Sequence, residues 1–119
     1  MRKHESLRAW QLAMALVEDV YRVTVPFPDT ERFGLTSQLR RAAISVPSNI
    51  AEGAARGSTT DFTRFLYIAR GSLSEVDTQL QIAQRLGFIQ DTQLITERID
   101  QVFAQLGGLI KHLKARINP

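Results

Sequence analysis

A row of polar side chains at helical spacing is the first place in this sequence where chemistry could occur. The row consists of Arg41, Ser45, Asn49, Glu52 and Arg56. Residues at this spacing share one face of a helix. If that helix forms an antiparallel hairpin with the next one about residue 58, facing residues have numbers that add up to about 116. Arg41 then faces Glu75, and Glu52 faces Arg64, so each carboxylate meets its own arginine.

The same register places Ser45 opposite Gly71, and two small residues would let the backbones approach closely. We predict a structural polar seam formed by Arg41, Ser45, Asn49, Glu52, Gly71 and Glu75. A structural role is favoured because ion pairs between helices set register, and charge rows at helical spacing are usually packing or solvated faces. A small-molecule site around Asn49, Glu52 and Glu75 is the least favoured alternative, so no small-molecule substrate is expected.

Lysine and arginine residues cluster in three parts of the chain, residues 2–8, 56–64 and 111–119. Successive antiparallel helices would bring these parts to one end of the molecule. This predicted basic end contains Arg2, Lys3, Arg8, Arg56, Arg64, Lys111, Lys114 and Arg116, against only Glu5 and Asp61. Such cations bind phosphate groups and release counterions, so we take all eight as candidate nucleic-acid-binding residues. The helix macrodipole would explain residues 111–116 without any ligand, but it does not explain residues 2–8.

The residue patterns of common enzymes are missing from this sequence. It has no cysteine, no Glu-x-x-His pair, no P-loop and no Gly-x-Gly-x-x-Gly segment. His4 and His112 lie near the ends of the chain, where a solvated histidine is the ordinary interpretation. Ser72 has no local base, and Glu52 and Glu75 would have to converge on one cleft to act as an acid/base pair. We therefore predict no enzyme, no catalytic residues, no metal site and no cofactor.

Composition places the chain among ordinary globular proteins. It has 119 residues, a formal net charge of +3, 44% hydrophobic and 23% charged residues. This length predicts a single domain over residues 1–119. No apolar run reaches the ~18 residues that cross a bilayer, and the first ten residues lack the apolar core of a signal peptide. We expect a cytoplasmic protein that does not bind membranes.

Four helical segments must position the residues described above. The first is predicted from Leu7 to about Val23, and the second from near Thr30 to about Arg56. The third begins in the Gly57–Asp61 stretch and ends before Gly87, and the fourth runs from Asp91-Thr92 to near Ile117. Short connections between long amphipathic helices make sequence neighbours antiparallel. The predicted fold class is all-α, an antiparallel up-down-up-down four-helix bundle.

Apolar residues at three-four spacing predict the core face of each helix. The first helix uses Leu7, Trp10, Met14, Val17 and Tyr21, widened by a flanking row of Ala13, Leu16 and Val20. The later faces are Leu35, Leu39, Ala42, Val46 and Ile50; Phe62, Leu66, Ala69, Leu73, Val76, Leu80 and Ala83; and Ile95, Ile99, Val102, Leu106, Leu109 and Leu113. Pro47 interrupts the second helix, and we expect a kink there, because the apolar spacing keeps its phase. A break with an Asn49–Glu52 cap is the alternative.

Two blocks of sequence resemble a known family. Gly34–Gly53 reads GLTSQLRRAAISVPSNIAEG, and Phe62–Glu75 carries the pattern F-x-x-F-L-x-I-A-x-G-S-L-x-E, followed by Thr78-Gln79-Leu80. Both are similar to the 23S ribosomal RNA intervening-sequence protein family of bacterial four-helix bundle proteins. The resemblance covers nearly the whole chain. It implies the bundle fold, a homo-oligomeric ring of five subunits, and a relation to accessory proteins of reverse transcriptases whose basic surface engages nucleic acid.

Self-association also has support in the residues. Phe65, Ile68, Phe103 and Ile110 lie off the predicted core rows, and a surplus apolar face often marks a subunit contact. Our first hypothesis is therefore a non-catalytic homo-oligomer that binds RNA or other nucleic acid through its basic end. The alternative is a protein–protein interaction scaffold that binds no nucleic acid.

Overall fold

Four amphipathic segments form the α-helices of the computed structural model, which describes residues 1–118. They are α1 (Arg8–Thr24), α2 (Leu35–Ala55), α3 (Thr59–Arg85) and α4 (Gln93–Ile117). Short 3-10 turns at Lys3–Ser6 and Asp29–Glu31 precede α1 and α2. The all-α prediction is confirmed.

Contacts between the helices define an up-down-up-down bundle of 48 × 22 × 21 Å. Each helix packs against the next in sequence, α1 also packs against α4, and the α2–α3 contact is the most extensive. Within residues 1–118 no Cα atoms of the diagonal pairs, α1 with α3 and α2 with α4, come within 8 Å of each other. Among the described residues, 1–118, no helix is both long enough and apolar enough to span a bilayer.

The core lies along the bundle axis and is aliphatic. The predicted core rows of α2 and α3 are confirmed, with only Leu35 partly exposed at the start of α2. The row predicted for α1 is wrong in part, because Met14 and Tyr21 are exposed while the flanking row of Ala13, Leu16 and Val20 is fully buried. Two adjacent apolar rows compete on α1, and its position between α2 and α4 decides which of them faces inward.

Most of the apolar residues that were expected to lie off the core rows and form a subunit contact are at least partly buried within the bundle itself. Ile110 is buried in the core in place of the half-buried Leu109, and Phe65 is buried at the α2–α3 contact. Phe103 packs partly against the core, and Ile68 alone of the four is exposed. Ile110 and Phe103 therefore widen the core face of α4, as a bundle helix with two neighbours requires, whereas Phe65 is buried outside that core beneath Arg56 and Arg64.

Helix α2 starts five residues later than the predicted Thr30. The carboxylate of Glu31 accepts a hydrogen bond from the Leu35 N–H at 3.1 Å, so the Asp29–Glu31 turn caps the helix from outside it. Downstream, Pro47 lies inside one continuous helix that runs to Ala55. The alternative of a break with a new cap at Asn49 is therefore wrong.

The ends of α3 follow the sequence signals. The Ser58 hydroxyl accepts a hydrogen bond from the Asp61 N–H at 3.1 Å, which caps the first turn. At the other end Gly87 adopts a φ of 79°, where a side chain would be strained. Its N–H donates to the Gln84 carbonyl, and the Phe88 N–H donates to the Ala83 carbonyl, which is the Schellman arrangement.

Candidate nucleic-acid interface

A groove of about 310 Å³ opens at the end of the bundle where the chain ends and the α2–α3 turn meet. Three separate parts of the chain supply its walls: the segment before α1, the turn between α2 and α3, and the last turns of α4. Its lining includes Lys3, Arg56, Ser58, Thr59, His112 and Arg116, over an apolar floor of Leu7, Ala54, Phe62, Leu109 and Leu113. The antiparallel topology thus brings three of the eight predicted basic residues around one opening.

The start of α3 also faces this groove. Ser58 caps the helix and Thr59 begins it, and both line the opening. A helix start carries unpaired backbone N–H groups and the positive end of the macrodipole, equivalent to roughly half an elementary charge. The last turns of α2 and α4 bring two negative helix ends to the same groove, so it is the side-chain cations Lys3, Arg56 and Arg116 that suit it to an anionic ligand.

Arg56 and Arg64 lie together around a buried aromatic ring. Their guanidinium carbons stand 4.9 and 4.6 Å from the centroid of Phe65. Each arginine also pairs with a carboxylate of its own helix, Arg56 with Glu52 and Arg64 with Asp61, both at 3.3 Å. The predicted Glu52–Arg64 pair between helices is therefore wrong. Exposed pairs of this kind contribute only about 0.2–1 kcal/mol and do not prevent an arginine from contacting a phosphate.

The other predicted basic residues lie beside the groove. Arg8 lines a shallow cleft with Gln105 and Gly108 on the α1–α4 side, and Lys111 is exposed on α4 next to His112. Arg2 is exposed directly before the Lys3–Ser6 turn. None of the ion pairs within residues 1–118 involves Arg2, Arg8 or Lys111, nor do they involve the groove residues Lys3 and Arg116.

Lys114 contacts an aromatic residue that the sequence patterns did not single out. Its ammonium donates to the Tyr67 hydroxyl at 3.3 Å, and the Arg70 guanidinium carbon lies 4.7 Å from the centroid of the same ring. The signal for this pairing was present in the sequence. In a hairpin of α3 and α4 about residue 90, facing numbers add up to about 180, and 67 and 114 satisfy this.

The polar seam between α2 and α3 exists in a smaller form than predicted. Ser45 bonds to the Ser72 hydroxyl at 2.8 Å, and Asn49 donates to both the Ser45 hydroxyl and its carbonyl. Gly71 is exposed, with open space where a side chain would stand, so the Ser45–Gly71 pairing is wrong.

The charged members of the predicted seam do not form it. No Arg41–Glu75 ion pair occurs among residues 1–118, and both side chains are exposed. Glu52 is exposed as well and pairs along its own helix with Arg56. The small-molecule site considered around Asn49 therefore has no pair of carboxylates gathered beside it. The closely packed part of the seam is the neutral trio Ser45, Asn49 and Ser72.

Metal-binding geometry is absent from the part of the chain that the structure covers, residues 1–118. No group of three or more His, Cys, Asp or Glu side chains there could hold a metal ion. His112 is exposed in the groove wall, and His4 stacks edge-on against Trp10 with ring centroids 5.1 Å apart. The candidate site therefore offers cations, hydroxyl groups and a helix start.

Known proteins place this bundle in a family. The fold is similar to the crystal structure of a protein of unknown function from the S23 ribosomal protein family of Bacteroides thetaiotaomicron VPI-5482. The TM-score is 0.61, and 20% of residues are identical over 93% of this chain and 99% of that one. At this identity the likeness establishes the fold. No curated protein sequence matches the chain. The family model described as 23S rRNA-intervening sequence protein matches residues 5–108, and the chain belongs to that family.

Proposed function

We propose that this protein is a non-catalytic module that assembles into a homo-oligomer and binds RNA or other nucleic acid through its basic end. One observation carries the proposal: Lys3, Arg56 and Arg116, from three distant parts of the sequence, line one groove together with the start of α3. Phosphate groups are the ligands that best match several cations and unpaired backbone N–H groups.

The charge around the groove is available to a ligand. Lys3, Lys111 and Arg116 are exposed and have no carboxylate partner within residues 1–118. Cations of this kind bind a polyanion mainly by releasing its condensed counterions, so the affinity depends on salt and little on sequence. Backbone binding of this sort requires no catalytic residues.

A salt series tests the proposal. Anisotropy of a labelled ribosomal RNA fragment is measured for the parent protein and for a variant carrying Lys3→Glu and Arg116→Glu. We expect at least about tenfold weaker binding for the variant. The slope of log K against log salt should be less steep by about one unit for each phosphate that the variant no longer binds.

The matched control carries Arg32→Glu and Arg85→Glu. These two arginines are exposed, form no ion pair among residues 1–118 and lie at the opposite end of the bundle. The control has the same net charge as the test variant, so it separates local binding from the overall field of the protein. Equal weakening by both variants, or a flat salt response of the parent, would refute the proposal.

The homo-oligomer is supported by apolar side chains that the bundle leaves exposed. A groove of about 330 Å³ between α1 and α2 is lined by Trp10, Met14, Val17, Ile44, Pro47, Ser48 and Ala51, without a charged residue. Ring closure of five copies, which the family resemblance implies, would gather the basic ends into one multivalent surface and multiply weak phosphate contacts. Native mass spectrometry across a dilution series checks this, and a monomer at every concentration contradicts it.

The same apolar groove favours the alternative of a protein-binding scaffold. A partner helix with an apolar face could occupy it without any contribution from the basic end. A partner recovered with the protein after nuclease treatment and a high-salt wash would favour this alternative. Loss of every partner under nuclease would favour nucleic acid.

A further inference from the structure

Tyr67 is a half-exposed aromatic residue surrounded by cations on the α3–α4 face. Lys114 donates to its hydroxyl at 3.3 Å and also lies 5.9 Å from the ring centroid. Arg70, one turn along α3, places its guanidinium carbon 4.7 Å from that centroid. A ring contacted by two cationic side chains in this way loses little further freedom when a ligand packs against it.

The position of Tyr67 connects it to the basic end. It lies eight residues after Thr59, the first residue of α3 and part of the groove wall, which is about 12 Å along the helix. Lys111 and Lys114 are one turn apart on α4, and both are exposed. A strand whose phosphates follow these cations from the groove therefore reaches the Tyr67 ring within a few nucleotides.

We propose that Tyr67 and Arg70 form a stacking site for an unpaired nucleobase, with Lys114 and Lys111 as the neighbouring phosphate contacts. The inference rests on the proposed function and narrows its ligand to single-stranded nucleic acid, or to a loop with unpaired bases. Tyrosine rings and guanidinium planes are the surfaces on which proteins stack such bases. The bases of a duplex are stacked on one another and cannot present a face to this ring.

The geometry also explains why a cation pair accompanies the ring. A base that stacks on tyrosine brings its phosphate within a few ångströms, and the ammonium of Lys114 at the ring edge is placed to meet it. Arg70 can contact the base through its guanidinium plane or the phosphate through its N–H groups. Affinity for a single strand therefore has two separable parts, one from phosphates that depends on salt, and one from stacking that does not.

The test compares Tyr67→Ala with the parent protein on a labelled RNA of about 20 nucleotides, which is longer than the site of a typical single-strand binding domain. The substitution should weaken binding about tenfold and leave the salt slope unchanged, because the phosphate contacts remain. Tyr67→Phe keeps the ring and should bind within about twofold of the parent. The same RNA annealed to its complement should bind equally to the parent and to Tyr67→Ala.

An abasic strand provides the sharper probe. It keeps the phosphates and removes the bases, so the parent should bind it as weakly as Tyr67→Ala binds the intact strand. Tyr67→Ala should show no further loss on the abasic strand, which is the coupling expected when two changes remove one interaction.

Tyr21 is the matched control on the same protein. It is 41% exposed against 39% for Tyr67, and Arg40 lies 4.5 Å from its ring centroid, but it belongs to the last turns of α1 at the opposite end. Tyr21→Ala should leave single-strand binding unchanged.

The outcomes separate the two proposals. Salt-dependent binding that is equal for single strand and duplex, and insensitive to Tyr67→Ala, overturns the stacking site and leaves the proposed function intact. Equal losses of single-strand affinity for Tyr67→Ala and Tyr21→Ala also overturn the stacking site, because the effect would then not depend on where the tyrosine lies. No salt-dependent binding by the parent overturns the proposed function and this inference together.

Discussion

Gly53 lies at a close contact between α2 and α3. A Cβ atom built on it would stand 2.6 Å from the Phe65 Cβ and 3.3 Å from the Phe62 carbonyl oxygen. Neither atom is the far end of a flexible side chain, so the helices themselves would have to separate. Glycine is needed here for its lack of a side chain, since Gly53 lies inside a regular helix.

The Gly53→Ala variant should therefore be destabilised by about 1–3 kcal/mol, the usual cost of forcing extra volume into a packed contact. Gly71→Ala is the control, because open space surrounds that position in the interior of α3. It should be stabilised by about 0.5–1 kcal/mol through helix propensity. Urea unfolding followed by circular dichroism measures both, and equal effects of the two variants would contradict the close contact at Gly53.

At the scale of single residues, sequence patterns located candidates better than partners. Ser45 and Asn49 were correctly placed at the α2–α3 contact, but the partner of Ser45 is Ser72 instead of Gly71. The sum rule for facing residues in a hairpin cannot distinguish partners that differ by one position, because the register depends on how closely the helices pack. That packing is set at Gly53, which no periodicity marks.

Local hydrogen bonds fix the helix ends in this protein. The sequence predicts some of these bonds and misses others. Ser58 caps α3 with its side chain, as the Gly57–Asp61 stretch predicts. Thr92 precedes α4 but makes no side-chain cap bond, and Asp91 accepts from the Gln93 N–H at 3.0 Å in its place. The start of α2 was misplaced because Glu31 caps it from a separate turn.

Replacing the α3 cap should have a measurable cost. Ser58→Ala removes the hydrogen bond to the Asp61 N–H, and we expect a loss of about 1 kcal/mol in the free energy of unfolding. Thr92→Ala removes a hydroxyl that caps nothing and should change stability by less than about 0.5 kcal/mol. Thermal unfolding of the two variants checks the difference. A Thr92 effect as large as that of Ser58 would contradict the assigned caps.

At the scale of the whole molecule, α1 and α4 close the bundle across the longest separation in sequence. Asp19 on α1 accepts a hydrogen bond from Arg98 on α4 at 2.9 Å, and the same carboxylate pairs with Arg22 at 3.1 Å. The Arg98 side chain is 34% exposed and that of Arg22 is 69% exposed. Of these two ion pairs, only the one with Arg98 joins two helices.

Removing the Arg98 charge should therefore matter more than removing that of Arg22. We expect Arg98→Gln to lower the free energy of unfolding by about 0.5–1 kcal/mol and Arg22→Gln by less than about 0.3 kcal/mol. The difference should shrink in about 1 M NaCl, where the Debye length falls to about 3 Å. Denaturant unfolding at two salt concentrations measures it. If the difference in free energy of unfolding between Arg98→Gln and Arg22→Gln is the same at both salt concentrations, the Asp19–Arg98 ion pair does not hold α1 to α4.

The amino-acid sequence by itself determined four helices, their antiparallel order and the inward rows of α2 and α3, because apolar periodicity and turn residues are local signals. Tertiary structure decided which of two apolar rows on α1 faces the core, which residue Ser45 meets, and that Phe65 and Ile110 are buried. Each of these depends on where a neighbouring helix stands, and that position is set by close packing over the whole bundle. For the same reason, tertiary structure decided that Lys3, Arg56 and Arg116 are the members of the predicted basic end that line one groove, and it placed the guanidinium group of Arg70 beside the Tyr67 ring.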